Sequence, residues 1–519
     1  MNNPIAPQRA RLFVVPGNQL FPHRFIRYRK QTMFFLAEDY EACTYRRHHK
    51  HKLVLILSAM RAYAEGLQRV GLDVHYEELD PELAPASQPT YVERLAAAVQ
   101  AHGAEEITHY ELQDKGLERR IREFAEAHGL RHTVLRSPMF LCSRDEFREW
   151  LGDQQHPVMA NFYKWQRQRL GILMRQDGAP SGNRWSFDEE NRKSLPRGFP
   201  VPGLPAPSGR ENPHLPAVKR LVDRLFADHH GDTSEFMLPT TRKQALDWLK
   251  DFLEQRFTCF GDYEDALSTQ SDAVFHSVLS PLMNIGLLTP DEVLDQALTY
   301  AEQQEITINN TEGFVRQIIG WREFVFGIYQ ERGEQLRAGN FWNHQRRLTR
   351  HWYDGTTGLT PLDDMIRKTS RLGYAHHIER LMIAGNLMLL AEVAPEEAYN
   401  WFMEMFVDAT QWAMVPNVYG MALFADGGTI TTKPYICASN YIRKMSDYPA
   451  DDWGATIDGL FWRFVGKNKA FFTTQPRLSM LTSNLERMNA ERRYRLVQHA
   501  ADFLMTRTVI GDPNDCQAA

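Results

Sequence analysis

The sequence predicts two domains of different class. The first is an α/β N-terminal domain with a Rossmann-like parallel sheet, and the second is an all-α C-terminal domain. Three observations carry this expectation. Residues 11–150 alternate short apolar runs with helical segments. From Ala217 onward the long segments repeat apolar residues at helical spacing. Between the two lies a stretch rich in Pro and Gly. The chain has 519 residues, too many for one ordinary core. The expected division is 1–150, 151–216 and 217–519.

Arg11-Leu12-Phe13-Val14-Val15 is a short apolar run ended by Pro16-Gly17, which predicts a buried strand leading into a loop. Met33–Leu36 reads likewise. Leu53–Leu57 is either a strand or part of a helix continuing through Ser58–Arg61, and periodicity alone leaves both open. Val74–Glu77, Glu106–Tyr110 and Thr133–Leu135 are further strands, separated by helices over Tyr91–Ala101 and Leu117–His128. In such sheets ligands bind at the carboxyl ends of the strands, where Gly17-Asn18-Gln19 lies. There is no GxGxxG fingerprint.

Residues 151–216 read as a connection, with Pro196, Pro200, Pro202, Pro205, Pro207 and Pro213 along it. Asn161–Arg169 and Gly182–Lys193 interleave aromatics with Arg and Lys, a pattern that pairs phosphates and stacks bases, or simply covers a solvated face. Helices are expected over Lys243–Phe257, Thr289–Tyr300, Phe314–Glu331, Ala394–Asp408 and Leu485–Thr506.

Composition narrows the function. Hydrophobic content of 43% and charged content of 24% are those of a soluble globular chain. A net charge of −5 excludes a protein that is basic throughout, so any nucleic-acid contact rests on a local patch. No apolar run is long enough to span a membrane, and Met1–Arg11 has no apolar signal core. The five cysteines, Cys43, Cys142, Cys259, Cys437 and Cys516, are scattered without CxxC spacing. That favours reduced thiols in a cytoplasm. A monomer without membrane attachment is expected.

The densest chemistry lies between Gly373 and Tyr448. It holds His376, His377, Arg380, Trp401, Asp408, Trp412, the run Pro416–Gly420, and Lys433-Pro434-Tyr435. Ile378, Leu381, Met382 and Gly385 recur at helical spacing, which predicts an amphipathic helix carrying the two histidines about 100° apart. A core helix with two satisfied histidines is the plain alternative.

These residues resemble the flavin-binding domain of the photolyase/cryptochrome superfamily, and within it the bacterial (6-4) photolyase branch that normally carries an iron–sulfur cluster. Ala375–Ile378, Gly427-Gly428, Lys433–Tyr435 and Asn440–Tyr448 carry the resemblance. So do Arg316–Glu323, Gly17–Leu20 and Ser58–Arg61, so that it spans nearly the whole chain in order.

The resemblance implies a photolyase/cryptochrome fold, non-covalent FAD and light-dependent repair of (6-4) photoproducts in UV-damaged DNA. It implies cofactor contacts from His276, Ser277, Leu279, Ser280, Trp321, Arg322, Arg380, Asp408 and Asn417. His376 and His377 are the implied proton-transfer residues, with His377 the first choice as acid, and Tyr435 positions the flipped lesion. Arg192 and Lys193, with Tyr435, are the implied DNA contacts. Gly17, Gln19 and Glu41 match the site of an antenna, 6,7-dimethyl-8-ribityllumazine in the bacterial relatives, although Asn18 stands where an aspartate is expected. Trp401 and Tyr353 match an electron relay, in which Phe402 is an unoxidisable neighbour. Asp188 and Asp265 are weak Mg²⁺ candidates, and no other metal is expected.

The chain departs from the branch at the cluster, where Pro361, Pro449, Asp452 and Ala455 stand at the cysteine positions. Iron needs four thiolates there, so no iron–sulfur cluster is expected. Two rivals remain: a cryptochrome-type blue-light photoreceptor without repair activity, and a helical nucleic-acid-binding protein without cofactor.

Overall fold

A computed structural model of the chain describes residues 10–26, 30–205 and 212–511. Pro207, Cys516 and the segment before Ala10 lie outside these residues. Among the described residues the N-terminal domain holds five strands: β1 (Arg11–Val14), β2 (Thr32–Ala37), β3 (Asp73–Glu77), β4 (Glu106–Tyr110) and β5 (Arg131–Leu135). They form one parallel sheet in the order β3-β2-β1-β4-β5. Side chains alternate across it, as the period of a strand requires. Leu12, Val14 and Phe35 pack one face onto Leu95, Ile121 and Phe124, while Phe13, Val15 and Phe34 join the large core on the other.

The run Leu53–Leu57 belongs to the helix Lys50–Arg69, so the helical alternative holds. The His49 side chain accepts the His51 amide and starts that helix. Its apolar run is continuous because the helix is buried along most of its length. Tyr91–His102 and Lys115–Ala127 form where expected, the first behind a Thr90/Glu93 capping box and the second capped by Asp114.

Residues 151–216 are less irregular than their composition suggests. Met159–Leu170 is a helix, and Arg144–Leu151 precedes it. Both pack on the C-terminal domain: a Cβ at Gly327 would meet the Phe147 ring at 2.2 Å, so the glycine permits the approach. The described residues that follow take turns and two short 3-10 segments and are pinned by the Phe187 amide on Glu312 (3.0 Å), Asn191 on Glu264 (3.2 Å) and Asn212 on the Ser58 carbonyl (2.9 Å).

The remainder is helical apart from β6 (Arg346–Leu348) and β7 (Thr508–Ile510), an antiparallel pair. The helix expected over Leu485–Thr506 is two, Ser479–Arg487 and Ala490–Arg507. Asn489 breaks it because its side chain accepts the amides of Glu491 and Arg492 and caps the second helix. Among the described residues no helix is long and apolar enough to cross a membrane.

Candidate active site and cofactor cavity

Three helical segments in the C-terminal core take π-helical turns: Arg316–Arg322, Glu379–Gly385 and Val415–Ala422. Such turns are rare and recur at functional sites. All three line one cavity of ≈350 Å³, together with the segment from His276 to Asn284. All nine residues expected to hold a cofactor, from His276 to Asn417, border it. Its wall is mainly apolar with few convergent polar groups, the usual make-up of a small-molecule site. Gln317, Phe402 and Trp412 also line it and were not singled out as contacts.

The segment entering the cavity is strained. Val274 and Val278 have φ of 50° and 54°, a left-handed conformation that β-branched residues rarely adopt. Each costs on the order of 1–3 kcal/mol, and such strain clusters at functional sites. The two valines bracket His276 and Ser277, and the chain then turns into the helix Ser280–Asn284 with Pro281 in its first turn.

Arg380 and Asp408 form a bidentate pair at 2.8 and 3.1 Å, and Ser280 Oγ donates to the same carboxylate at 2.6 Å. The guanidinium also lies 4.0 Å over the Phe406 ring. Arg322 donates from Nη1 to the Met139 carbonyl (2.7 Å), while its buried Nη2 has no partner. Burial lowers its pKa to about 10. An orphaned buried donor in the wall of a cavity also lined by Ser277, Ser280 and Asn417 fits a ligand that carries acceptors and negative charge, as FAD does. Glu323 does not border the cavity. Its carboxylate accepts the amides of Leu141 and Cys142, both at 2.9 Å, and ties the cavity wall to the segment leaving the N-terminal domain.

The two adjacent histidines do not lie within a helix, as their spacing suggested. His377 is the first helical residue and His376 precedes it. Gly373, with φ of 66°, ends the preceding helix, and Glu379 accepts the His376 amide at 3.1 Å in the manner of a capping box. Their environments differ. His377 opens onto the cavity, while His376 is 1% exposed and lies behind His276, its ring stacked on it at 4.4 Å and 15°. Neither ring nitrogen of His376 has a hydrogen-bond partner, and Nε2 stands 3.4 Å from Glu379, which pairs with Lys368. His377 is exposed on the cavity side, yet desolvation by the protein around its ring, then Arg380 and Arg316, lower its pKa to about 4. Burial holds His276 and His376 well below the usual histidine range. The three imidazoles have ligating atoms within 4.8 Å of one another. The parallel stack of His276 and His376 gives no point lying in both ring planes, which makes a shared metal ion unsuitable.

The expected DNA-contacting residues gather beside this site. Arg192 pairs with Asp188, and Lys193 with Asp262 at 2.8 Å, both cations being more than half exposed. Asp188 also receives Arg316 at 2.8 Å, and Arg316 reaches Glu264 at 3.4 Å. Tyr435 lies within electrostatic range of Asp188, Arg192 and Asp265. Asp265 is pushed up to about 6 and Glu264 to about 8, chiefly by burial. Gln317 joins this network to the cavity through Glu264.

Trp401 is fully buried, donates to the Trp352 carbonyl at 2.9 Å and contacts Phe402 ring to ring at 5.2 Å. Tyr353 stacks on His230 at 5.2 Å. The expected antenna residues lie in the N-terminal domain. A Cβ at Gly17 would meet Met60 at 2.7 Å, Gln19 donates to the Glu111 carbonyl at 2.7 Å, and Glu41 pairs with Arg120 at 2.8 Å on the surface. The cavity bordered by Gln19 is only ≈10 Å³, closed by Phe21, Phe25, Tyr63 and Tyr110 among the described residues. That is room for about one water beside Gln19, and Gly17 and Glu41 do not border this cavity.

Comparison with known proteins gives a consistent result. Residues 13–238 match a family described as deoxyribodipyrimidine photo-lyase-related protein. A (6-4) photolyase of Agrobacterium fabrum is 34% identical over 489 residues, covering 92% of this chain and 95% of that protein. A crystal structure of a bacterial class III photolyase from Agrobacterium tumefaciens superposes with a TM-score of 0.57 at 16% identity, over 97% of this chain and 100% of the other. A Synechocystis cryptochrome superposes at 0.53 with 14% identity, over 96% and 95%.

Proposed function

The chain belongs to the photolyase/cryptochrome superfamily, and on that premise we propose that it is a light-dependent DNA repair enzyme, a (6-4) DNA photolyase acting on UV-damaged DNA. The observation that carries the reading is His377, whose ring opens onto the same cavity as the Arg380–Asp408 pair. A signalling receptor has no need of a titratable ring there. The A. fabrum relative bears the name (6-4) photolyase, which supports the lesion type.

FAD bound in the cavity would supply a photoexcited one-electron reductant. Ser277, Arg322 and Asn417 would hold it by hydrogen bonds, with Ser280 and the Arg380–Asp408 pair against it. Arg380 keeps a positive charge on the wall, and Asp408 keeps that charge from being buried alone. Trp321, Phe402 and Trp412 exclude water, which strengthens each polar contact inside. His377 would exchange a proton with the lesion, and Tyr435, near Arg192, would position the flipped nucleotide. Trp401 stands behind Phe402 as an oxidisable side chain. The four cluster positions hold Pro361, Pro449, Asp452 and Ala455, so no iron–sulfur cluster is assigned. An antenna chromophore, 6,7-dimethyl-8-ribityllumazine by resemblance, would be held near Gly17, Gln19 and Glu41 in the N-terminal domain.

The test is repair of a duplex carrying one defined (6-4) photoproduct, under blue light, with flavin reduced. Recovery of the two intact pyrimidines is expected. Bound, reduced flavin without recovery would leave the photoreceptor reading in its place.

A further inference from the structure

Two ring nitrogens of His276 are fully used inside the protein. Nδ1 lies 3.0 Å from the Ala273 carbonyl oxygen and Nε2 lies 3.0 Å from His377 Nδ1. A carbonyl oxygen can only accept, so His276 Nδ1 carries the hydrogen. A neutral imidazole then has a bare Nε2, which can only accept. His377 Nδ1 must therefore be the donor, and the His377 Nε2 lone pair is left without a proton. His276 is 6% exposed and packed flat on buried His376, an environment that favours the uncharged ring.

We propose that His276 is a positioning residue that fixes His377 as its Nδ1–H tautomer, with a bare Nε2 as the atom available to the ligand. His276 was expected as a cofactor contact; with both ring nitrogens engaged inside the protein, its ring acts through His377. In this arrangement His377 accepts a proton at Nε2 from a ligand O–H or N–H. One bond to hydrogen breaks on the ligand and one forms on Nε2. The proton returns from the same atom, while Nδ1–H stays directed at His276. His377 thus meets its ligand first as an acceptor, and can donate only after it has been protonated. Charged and titratable groups around the pair are Arg380, Arg316, Lys368 and His376, with the carboxylates Asp408, Glu264 and Glu379 paired to the three cations. Burial and the cations favour the uncharged form, and the carboxylates offset part of the cations' effect. The inference rests on the repair reading for its consequence in catalysis, but the tautomer itself does not.

The experiment is ¹⁵N NMR of histidine-labelled full-length protein, with the His377 signals identified by their loss in His377→Gln. The expected result is a protonated Nδ1 and an unprotonated Nε2 on His377. His276→Phe keeps the flat ring but offers no acceptor, so the signals should move towards the Nε2–H form. His276→Gln restores an acceptor oxygen near the same point and should return the Nδ1–H form. In repair assays His276→Phe should lose about 10²-fold in rate, with a displaced pH profile. An Nε2–H His377 in the wild type overturns the proposal, as does an unchanged tautomer in His276→Phe. If the tautomers behave as expected while the wild type repairs nothing, the positioning role stands and the repair reading alone fails.

Discussion

Arg380 holds Asp408 with both terminal nitrogens, at 2.8 and 3.1 Å, and the pair is largely buried in the cavity wall. Removing the charge from one partner strands the other. Asp408→Asn is expected to cost up to about 3–5 kcal/mol in stability, read by chemical denaturation, and to lower FAD content. A variant as stable and as yellow as the wild type would show that the pair is peripheral to the cofactor.

The two adjacent histidines should separate on mutation. His377 faces the cavity, so His377→Ala should slow repair by about 10²–10⁴-fold. Lesion affinity should fall by no more than about tenfold, since one hydrogen bond is worth about 0.5–1.5 kcal/mol. His376 lies behind His276, so His376→Ala should act mainly by opening a hole in the stack, with a lower Tm and a smaller loss of rate. Equal rate losses at equal stability would contradict this order.

The depressed pKa of His377 has a pH signature. The folded protein keeps the ring neutral down to about 4, whereas the unfolded chain binds a proton near 6.5. Between those values the unfolded state holds more protons, so the contribution of this group to stability falls as pH falls. Relative to His377→Gln, the wild type should therefore lose stability from about pH 6.5 down to about pH 4. Parallel stability profiles would show that His377 titrates normally. The comparison with the variant is needed because Glu264 and Glu323, raised to about 8 and about 7, slope the other way.

Trp401→Phe should slow photoreduction of bound flavin while leaving flavin in place. The substitution is less mild than ring shape suggests. It removes the donor to the Trp352 carbonyl, and a buried acceptor left bare costs about 1–3 kcal/mol. Photoreduction is read by absorbance under blue light, and unchanged kinetics would mean that electrons enter by another path.

The purified protein should be yellow and contain no stoichiometric iron. Elemental analysis near four irons per chain would refute the substitution argument drawn from Pro361, Pro449, Asp452 and Ala455.

Much of this architecture could be read from residue order. The parallel sheet follows from β1 to β5 being short apolar runs between helices, and the cofactor residues follow from matched motifs that the fold brings to one cavity. Where residue order was ambiguous or misleading, the causes are local. Leu53–Leu57 reads equally as a strand because a helix buried along most of its length loses its polar stripe. Leu485–Thr506 has unbroken periodicity, and a single capping side chain at Asn489 divides it. The unequal fates of His376 and His377 depend on a third ring a hundred residues earlier, at His276, which no spacing rule connects to them. The Arg192–Asp188–Arg316–Glu264 network was equally hidden, since its members come from distant segments.

The three π-helical turns have a consequence for how this cavity can change. A π turn holds more residues than an α turn, so the helix beyond it emerges rotated out of phase with the helix before it. The shape of the chamber is therefore written in helical phase as much as in side-chain identity. A point substitution alters one tile of the wall. Loss of a single residue from Val415–Ala422 would let that helix relax to the regular pitch and swing Asn417 and Met421 out of register together. Lineages that keep every lining residue but change segment length by one would thus carry the same alphabet in a different room.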